Sequence, residues 1–362
     1  MQHVVIVGAG VAGLMTGLFL REHGAEVTIL DKGEPGRESS WAGGGILSPL
    51  YPWRYPEAVT RLATVSQREY PLFCARLREE TGIDPEWVQS GLLVLDGDKE
   101  AALSWQDAEI NPVFPLSRTA VYECEPGLGP GFESGLWMPA VAQVRNPRLL
   151  KALLKALEQR GVQVLSRHPV RRVMERGERV GGVLLESGTR LEADRVVLAA
   201  GAWSGLLAAE LVPPLDVRPV RGQMLLFRAE PGVLQRIVLY RDHYVIPRRD
   251  GRILCGSTVE EAGFEKTTTA QARALLHEAA LELVPRLAEF PVERHWAGLR
   301  PAAPAGIPYL GEHPGLPGLY LNCGHFRNGV VLGLASARLV ASQILGLPPE
   351  LPVEPYSVHA PR

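Results

Sequence analysis

Val4-Val5-Ile6-Val7-Gly8-Ala9-Gly10-Val11-Ala12-Gly13 opens the chain, and Val27-Thr28-Ile29-Leu30-Asp31 follows after an apolar helical run. The order is strand, glycine-rich turn, helix, strand, acidic residue. Gly8 permits a tight turn, Gly10 lets backbone approach a pyrophosphate, and Gly13 lets helix and strand pack closely. The helix N-terminus offers free N–H groups and partial positive charge to phosphates. Asp31 lies about twenty residues past the turn, where a carboxylate reaches ribose hydroxyls. The glycine spacing alone is weak. The β-branched strand before it, and the helix, strand and acid after it, supply the context of a dinucleotide-binding βαβ unit.

The 362 residues suffice for two domains around a large core. A net charge of −2 without a basic tract argues against a nucleic-acid surface or a polybasic membrane patch. The four cysteines, Cys74, Cys124, Cys255 and Cys323, are far apart, which points to reduced thiols in a cytoplasmic protein and to no metal site. Residues 4–20 carry no charge, yet the glycines suit a buried βα unit better than a signal peptide or a membrane span. No other stretch is expected to reach the length needed to cross a bilayer.

After Asp31, Ser39-Ser40-Trp41-Ala42-Gly43-Gly44-Gly45 reads as a loop whose bare backbone comes close to something flat, between apolar flanks. Residues 57–81 read as a helix, and 87–95 turn strand-like. Residues 100–140 resist assignment. Asn146-Pro147 starts a helix with leucines on one face, stopped by Gly161. Strands are expected at 162–165, 170–174 and 180–185. Arg195–Ala202 repeats the strand-into-glycine logic of the N-terminus. Residues 215–260 alternate as short strands, 267–287 read as a helix capped by Thr268 or Thr269, and 291–294 as a short strand. After a strand at 319–322, a helix opens at Gly324–Gly329 and runs to about Leu345.

This order predicts an α/β (α+β) chain in which a Rossmann-like cofactor domain is interleaved with an antiparallel β-rich substrate domain. The first is assigned residues 1–80, 142–212 and 297–350, the second 81–141 and 213–296, with a tail at 351–362. Only one full GxGxxG is present, so two dinucleotides are not expected. Backbone approaches at four places along the chain favour one long cofactor, FAD. A helix beginning near Gly329 would aim its positive end at the part of the flavin that becomes anionic on reduction.

Six segments carry a family resemblance: Gly8–Gly13, Ser39–Gly44, Val197–Ser204, Arg221-Gly222-Gln223, Trp296-Ala297-Gly298-Leu299-Arg300-Pro301 and Gly324-His325-Phe326-Arg327-Asn328-Gly329. Over nearly its whole length the chain resembles the FAD-dependent D-amino-acid oxidase and sarcosine oxidase family, most of all the members that oxidise glycine and are linked to thiamine biosynthesis. The resemblance implies non-covalent FAD and oxidation of a small amino acid, with dioxygen reduced to hydrogen peroxide. It also implies a cytoplasmic homo-oligomer, a tetramer by precedent.

Residue by residue, Arg300 matches an arginine that clamps the substrate carboxylate, and Tyr244 a tyrosine beside it. Val259 matches a hydrophobic pocket residue. Gly8, Gly10, Ala12, Gly13 and Asp31 are expected at the cofactor. So are Ser39, Ser40, Ala42, Gly43 and Gly44, then Val173, Gly201 and Trp203. Arg300, His325, Arg327, Asn328 and Gly329 complete the set. Some relatives bind flavin through a cysteine; Cys323 lies near that region, but its neighbours Gly324-His325 argue against a covalent link. The chemistry follows from the groups themselves. A planar guanidinium holds the carboxylate bidentately, hydride leaves the neutral amine form for flavin N5, and no strong base is required. Arg300 as a carbonyl cap, Tyr244 as a plain strand tyrosine, and His243 and His325 as packing residues are the competing readings. Arg221 reads as structural. At the level of function the alternatives are a dehydrogenase serving a quinone or protein acceptor, and a non-catalytic FAD-binding subunit.

Overall fold

The structure is a computed structural model that describes residues 2–362. Its first strand, His3–Val7, is parallel to Arg195–Leu198 on one side and Glu26–Leu30 on the other, so Ile6 lies level with Val197 and Ile29. Gln163–Leu165 and Leu319–Cys323 extend this sheet in parallel, and Tyr309–Glu312 closes it antiparallel, giving six strands. Both faces are covered, as parallel strands require. The helices Val11–Glu22, Glu57–Thr81, Asn146–Gln159 and Gly329–Leu345 share one apolar core against it. A three-stranded sheet, Val170–Arg176, Arg179–Leu185 and Arg190–Glu192, joins the core of the other face.

A second sheet has eight strands. In order they are Val292–Ala302, Arg218–Phe227, Ile253–Gly256, His243–Pro247, Ile237–Tyr240, Leu92–Val94, Ser134–Met138 and Phe114–Ser117. All neighbours are antiparallel except Ile237–Tyr240 with Leu92–Val94. The mixed α/β architecture is thus as expected, with local differences. Val217–Val220 and Gln223–Phe227 form one strand through Gly222. The short strand expected at 291–294 is the start of eleven residues. That strand crosses the boundary drawn at 297, so Arg300 rides on the antiparallel sheet. The strand-like run at 87–95 shrinks to Leu92–Val94, and the stretch left unassigned holds two short helices and two strands. The helix read as 267–287 is Ala270–Leu283, capped by the Thr269 hydroxyl, and Pro285 begins a separate 3-10 turn. Ser39–Ala42 is one helical turn, not loop.

Phe326–Leu345 is long and apolar enough to cross a membrane, contrary to the sequence expectation, and 67% of its most apolar eighteen-residue stretch is buried inside the protein. It packs between the first helix and Glu57–Thr81, so its apolarity serves the core.

The first turn shows why its glycines are needed. Gly8 has φ +111°, and a Cβ there would collide with the Ala199 carbonyl. A Cβ on Gly13 would collide with the Gly8 carbonyl, which is the close helix–strand packing expected of that position. Gly24 also has positive φ (+85°) but nothing lies within 4 Å of its would-be Cβ. Gly8→Ala is expected to cost about 3 kcal/mol from left-handed strain plus the collision, and Gly24→Ala about 1 kcal/mol from strain alone. Urea unfolding of the two variants checks the difference; equal losses would contradict it.

Candidate active site

Between the sheets runs a cleft of about 390 Å³. Its walls come from segments far apart in sequence, and the two longest-range contributors are helix N-termini. Gly10, Val11 and Ala12 open the first helix, and Gly329 and Val330 open the last. Both positive helix ends therefore face one cavity, which suits an anionic ligand.

Asp31 lies at one end. Its Oδ2 accepts the Ala9 N–H at 2.9 Å and its Oδ1 the Gly33 N–H at 2.9 Å. These bonds fix the carboxylate in the wall and leave each oxygen further lone-pair capacity. Ser40 Oγ accepts the Val11 N–H at 2.9 Å, tying the Ser39–Ala42 turn to the first helix. Lys32 places its ammonium 3.1 Å from the centroid of the Trp203 ring, and burial lowers its pKa although Glu38 and Asp31 oppose this. Glu38 also pairs with Lys266 at 2.7 Å, and Phe264 packs on Trp203 with centroids 5.4 Å apart. The segment after the Ile253–Gly256 strand thus reaches the rim of the cleft.

Arg300 stands at the other end, half-buried. Its Nη1 donates to the Thr258 carbonyl at 3.0 Å and the Arg221 carbonyl at 3.3 Å, and its Nη2 to Ser257 Oγ at 2.7 Å. The guanidinium lies over Gly222 of the adjoining strand, where any Cβ would collide with it. Burial pushes its pKa down to about 10, so it is charged at neutral pH. No carboxylate among the described residues forms an ion pair with it. Tyr244 is buried in the same sheet, its ring between Gly44 and Gly256 and its hydroxyl donating to Met224 Sδ at 3.4 Å.

Of the expected residues, Gly8, Gly10, Ala12, Asp31, Ser39 and Ser40 line the cleft, as do Gly201, Trp203, Arg300, His325 and Gly329. Gly13 sits behind the turn. Ala42, Gly43 and Gly44 lie behind the wall, held there by their carbonyls. Trp296 Nε1 donates to Ala42, Asn146 Nδ2 to Gly43, and Arg248 Nη2 to Gly44. Val173 does not line the cleft; it packs against the core beneath the three-stranded sheet, and the neighbouring Pro169, Val170 and Arg171 form the wall instead. Val259 is 51% exposed rather than lining a pocket. Asn328 is buried with Nδ2 unpartnered, and Arg327 approaches Asp242 at 3.8 Å with Nη2 unpartnered. His325 is buried with Nε2 unpartnered; burial pushes its pKa down to about 4, so it is neutral at pH 7. Burial lowers the His243 pKa as well. Cys323 lines the cleft, with its thiol pushed up to about 12 by burial.

Sequence reasoning missed Ser257, Thr258, Asn146, Arg248 and Lys32. Lys32 and Trp203 carry a signal only once the two strand ends are known to meet. The others have none, because they act across strands.

The cleft fits FAD. It carries the Asp31 carboxylate and two helix N-termini, Gly201 leaves open space within 4 Å, and His325, which lines it, keeps an unpartnered nitrogen. A family model described as DAO, FAD dependent oxidoreductase, matches residues 3–343. The glycine oxidase of Pseudomonas aeruginosa is 48% identical over 358 residues, 98% of each chain. The bifunctional protein ThiO/ThiG of Nostoc is 33% identical over 351 residues, which are 95% of this chain and 53% of that protein. The crystal structure of glycine oxidase from Geobacillus kaustophilus superposes with a TM-score of 0.90 at 30% identity, covering 100% of both chains. With its cleft, its sheet order and these agreements, the chain belongs to the DAO family of FAD-dependent oxidoreductases.

Proposed function

We propose that this chain is an amino-acid oxidase acting on glycine and on other small primary or secondary amino acids such as sarcosine and small D-amino acids. The observation that carries the reading is Arg300. A half-buried guanidinium with neutral oxygens on one side and no ion-paired carboxylate is costly unless an anion completes it. A substrate carboxylate does so bidentately, and the planar fork fixes its orientation. Gly222 contributes by having no side chain where the guanidinium lies. Tyr244, one strand beyond Gly256, is packed against Gly44 behind the wall and does not itself line the cleft.

Bound FAD supplies the two-electron acceptor and the transfer of those electrons to dioxygen, yielding hydrogen peroxide. Asp31 and the N-terminus of the first helix would hold its ribose and pyrophosphate, and the Gly329 helix its ring. The protein's own task is orientation. Burial holds His325 neutral at pH 7, and hydride loss from the neutral amine form needs no strong base, so the protein contributes by positioning. The imine product hydrolyses in water to a 2-oxo acid, with ammonia released from a primary amino acid and an alkylamine from an N-alkyl one such as sarcosine. We assign the cofactor to the parallel-sheet segments and the substrate to the antiparallel sheet. The four free thiols support a cytoplasmic location. Family precedent supports a homo-oligomer, and the ThiO/ThiG relative supports a place in thiamine biosynthesis.

Anaerobic addition of glycine, sarcosine, D-alanine or D-proline is expected to bleach the bound flavin, and readmitted air to release one peroxide per turnover. Substoichiometric peroxide would favour a dehydrogenase. Arg300→Ala should raise the KM for glycine by about two orders of magnitude through loss of a bidentate charged contact; an unchanged KM would overturn the clamp. Asp31→Ala should weaken FAD binding about tenfold, read by fluorescence of released flavin. With Cys323 protonated and buried, acid precipitation should leave all FAD in the supernatant, and yellow protein in the pellet would refute non-covalent binding.

A further inference from the structure

Arg300 takes its aim from three oxygens: the carbonyls of Arg221 and Thr258 and the hydroxyl of Ser257. The first sits in the ladder with the Val292–Ala302 strand, opposite Leu299, whereas Ser257 and Thr258 lie on a segment that strand does not pair with. Two of the residues that supply them, Arg221 and Thr258, are bound through their side chains to one carboxylate, that of Glu260. Glu260 Oε2 accepts from Arg221 Nη2 at 2.6 Å and Nε at 3.1 Å. Its Oε1 accepts from Gln223 Nε2 at 2.8 Å and from the Thr258 hydroxyl. The backbones of Arg221 and Glu260 exchange two hydrogen bonds of 2.9 Å, and the Gln223 N–H donates to Thr258 Oγ1 at 2.9 Å. The carboxylate therefore staples the Ser257–Glu260 segment to the Arg218–Phe227 strand at Arg221 and Gln223, and it holds Thr258 within its own segment.

Charge points the same way. The Arg221 side chain is only 9% exposed, and Glu260 is its close counter-ion; Glu265 is 3.7 Å away. Burial pushes the Glu260 pKa up, but hydrogen bonds from Thr258, Arg221 and Gln223 outweigh it, so the group is ionised at neutral pH. Without that charge, the buried Arg221 guanidinium would keep only Glu265, 3.7 Å away, as a counter-ion. An exposed ion pair would contribute little. This one is half-buried and fully bonded, where networks are stiff.

We propose that Glu260 is the positioning residue for Arg300: it holds Thr258 by its hydroxyl and Arg221 by its guanidinium, and so fixes the two residues whose carbonyls receive Arg300. This rests on Arg300 being the carboxylate clamp. The test uses holoenzyme and acetate, a carboxylate with no amine to oxidise, titrated against the absorbance of bound flavin. Glu260→Gln should raise the acetate dissociation constant and the glycine KM roughly tenfold, with kcat within about twofold and FAD retention unchanged. In an Arg300→Ala background the same substitution should change acetate affinity no further, whereas a general loosening would weaken it in both backgrounds. Thr258→Val, which cuts the link from its other side, should weaken acetate binding severalfold. Wild-type acetate affinity in Glu260→Gln, or equal losses with and without Arg300, overturns the proposal. If Arg300→Ala itself binds acetate normally, the clamp reading falls and the Glu260 link with it; a normal Arg300→Ala loss beside a silent Glu260→Gln removes the link alone.

Discussion

Four carbonyl oxygens in the short segment Ser40–Gly44 are held by side chains from distant places. Asn146 takes those of Ser40 and Gly43, Trp296 that of Ala42, and Arg248 that of Gly44. The same segment sends Ser40 Oγ to the N-terminus of the first helix. It is the joint between the parallel sheet and the antiparallel one. Unsatisfied buried carbonyls are costly, so each of these bonds constrains where the two sheets meet. Arg248 is committed deeply enough that burial pushes its pKa down to about 10. The cleft exists because this joint holds the sheets apart at one place and together at another.

The two ends of the cleft use charge differently. At the Asp31 end, negative charge is tied to backbone N–H groups and faces a ligand through its remaining lone pairs. At the Arg300 end, positive charge is tied to carbonyls and a hydroxyl, neutral groups that orient without neutralising. Such an arrangement leaves electrostatic capacity for one incoming anion. The His325 imidazole, which lines the cleft, is pushed towards neutrality by burial, while the Arg327 cation also acts on Arg300. The chemistry assigned to this end is correspondingly one of orientation.

Local sequence reading worked where the physics is local. The turn at Gly8–Gly13, the helix after Asn146-Pro147 and the helix opening at Gly329 are set by short-range glycine, proline and apolar periodicity, and they lie where expected. It went astray at Val173, because facing the cleft or the core depends on how a three-stranded sheet docks. It also expected no stretch beyond residues 4–20 to reach bilayer length, and Phe326–Leu345 does; that this helix is buried instead is decided by its neighbours.

By itself the sequence determined the βαβ unit, the α/β class, one dinucleotide-sized cofactor, and Arg300 as the residue to watch. Tertiary structure alone decided what surrounds that arginine. Arg221 and Arg300 are 79 residues apart, and their register places the guanidinium over Gly222. Glu260 reaches them from a third segment. Cross-strand register is fixed by packing and hydrogen bonding over the whole sheet, so no spacing within one segment encodes it.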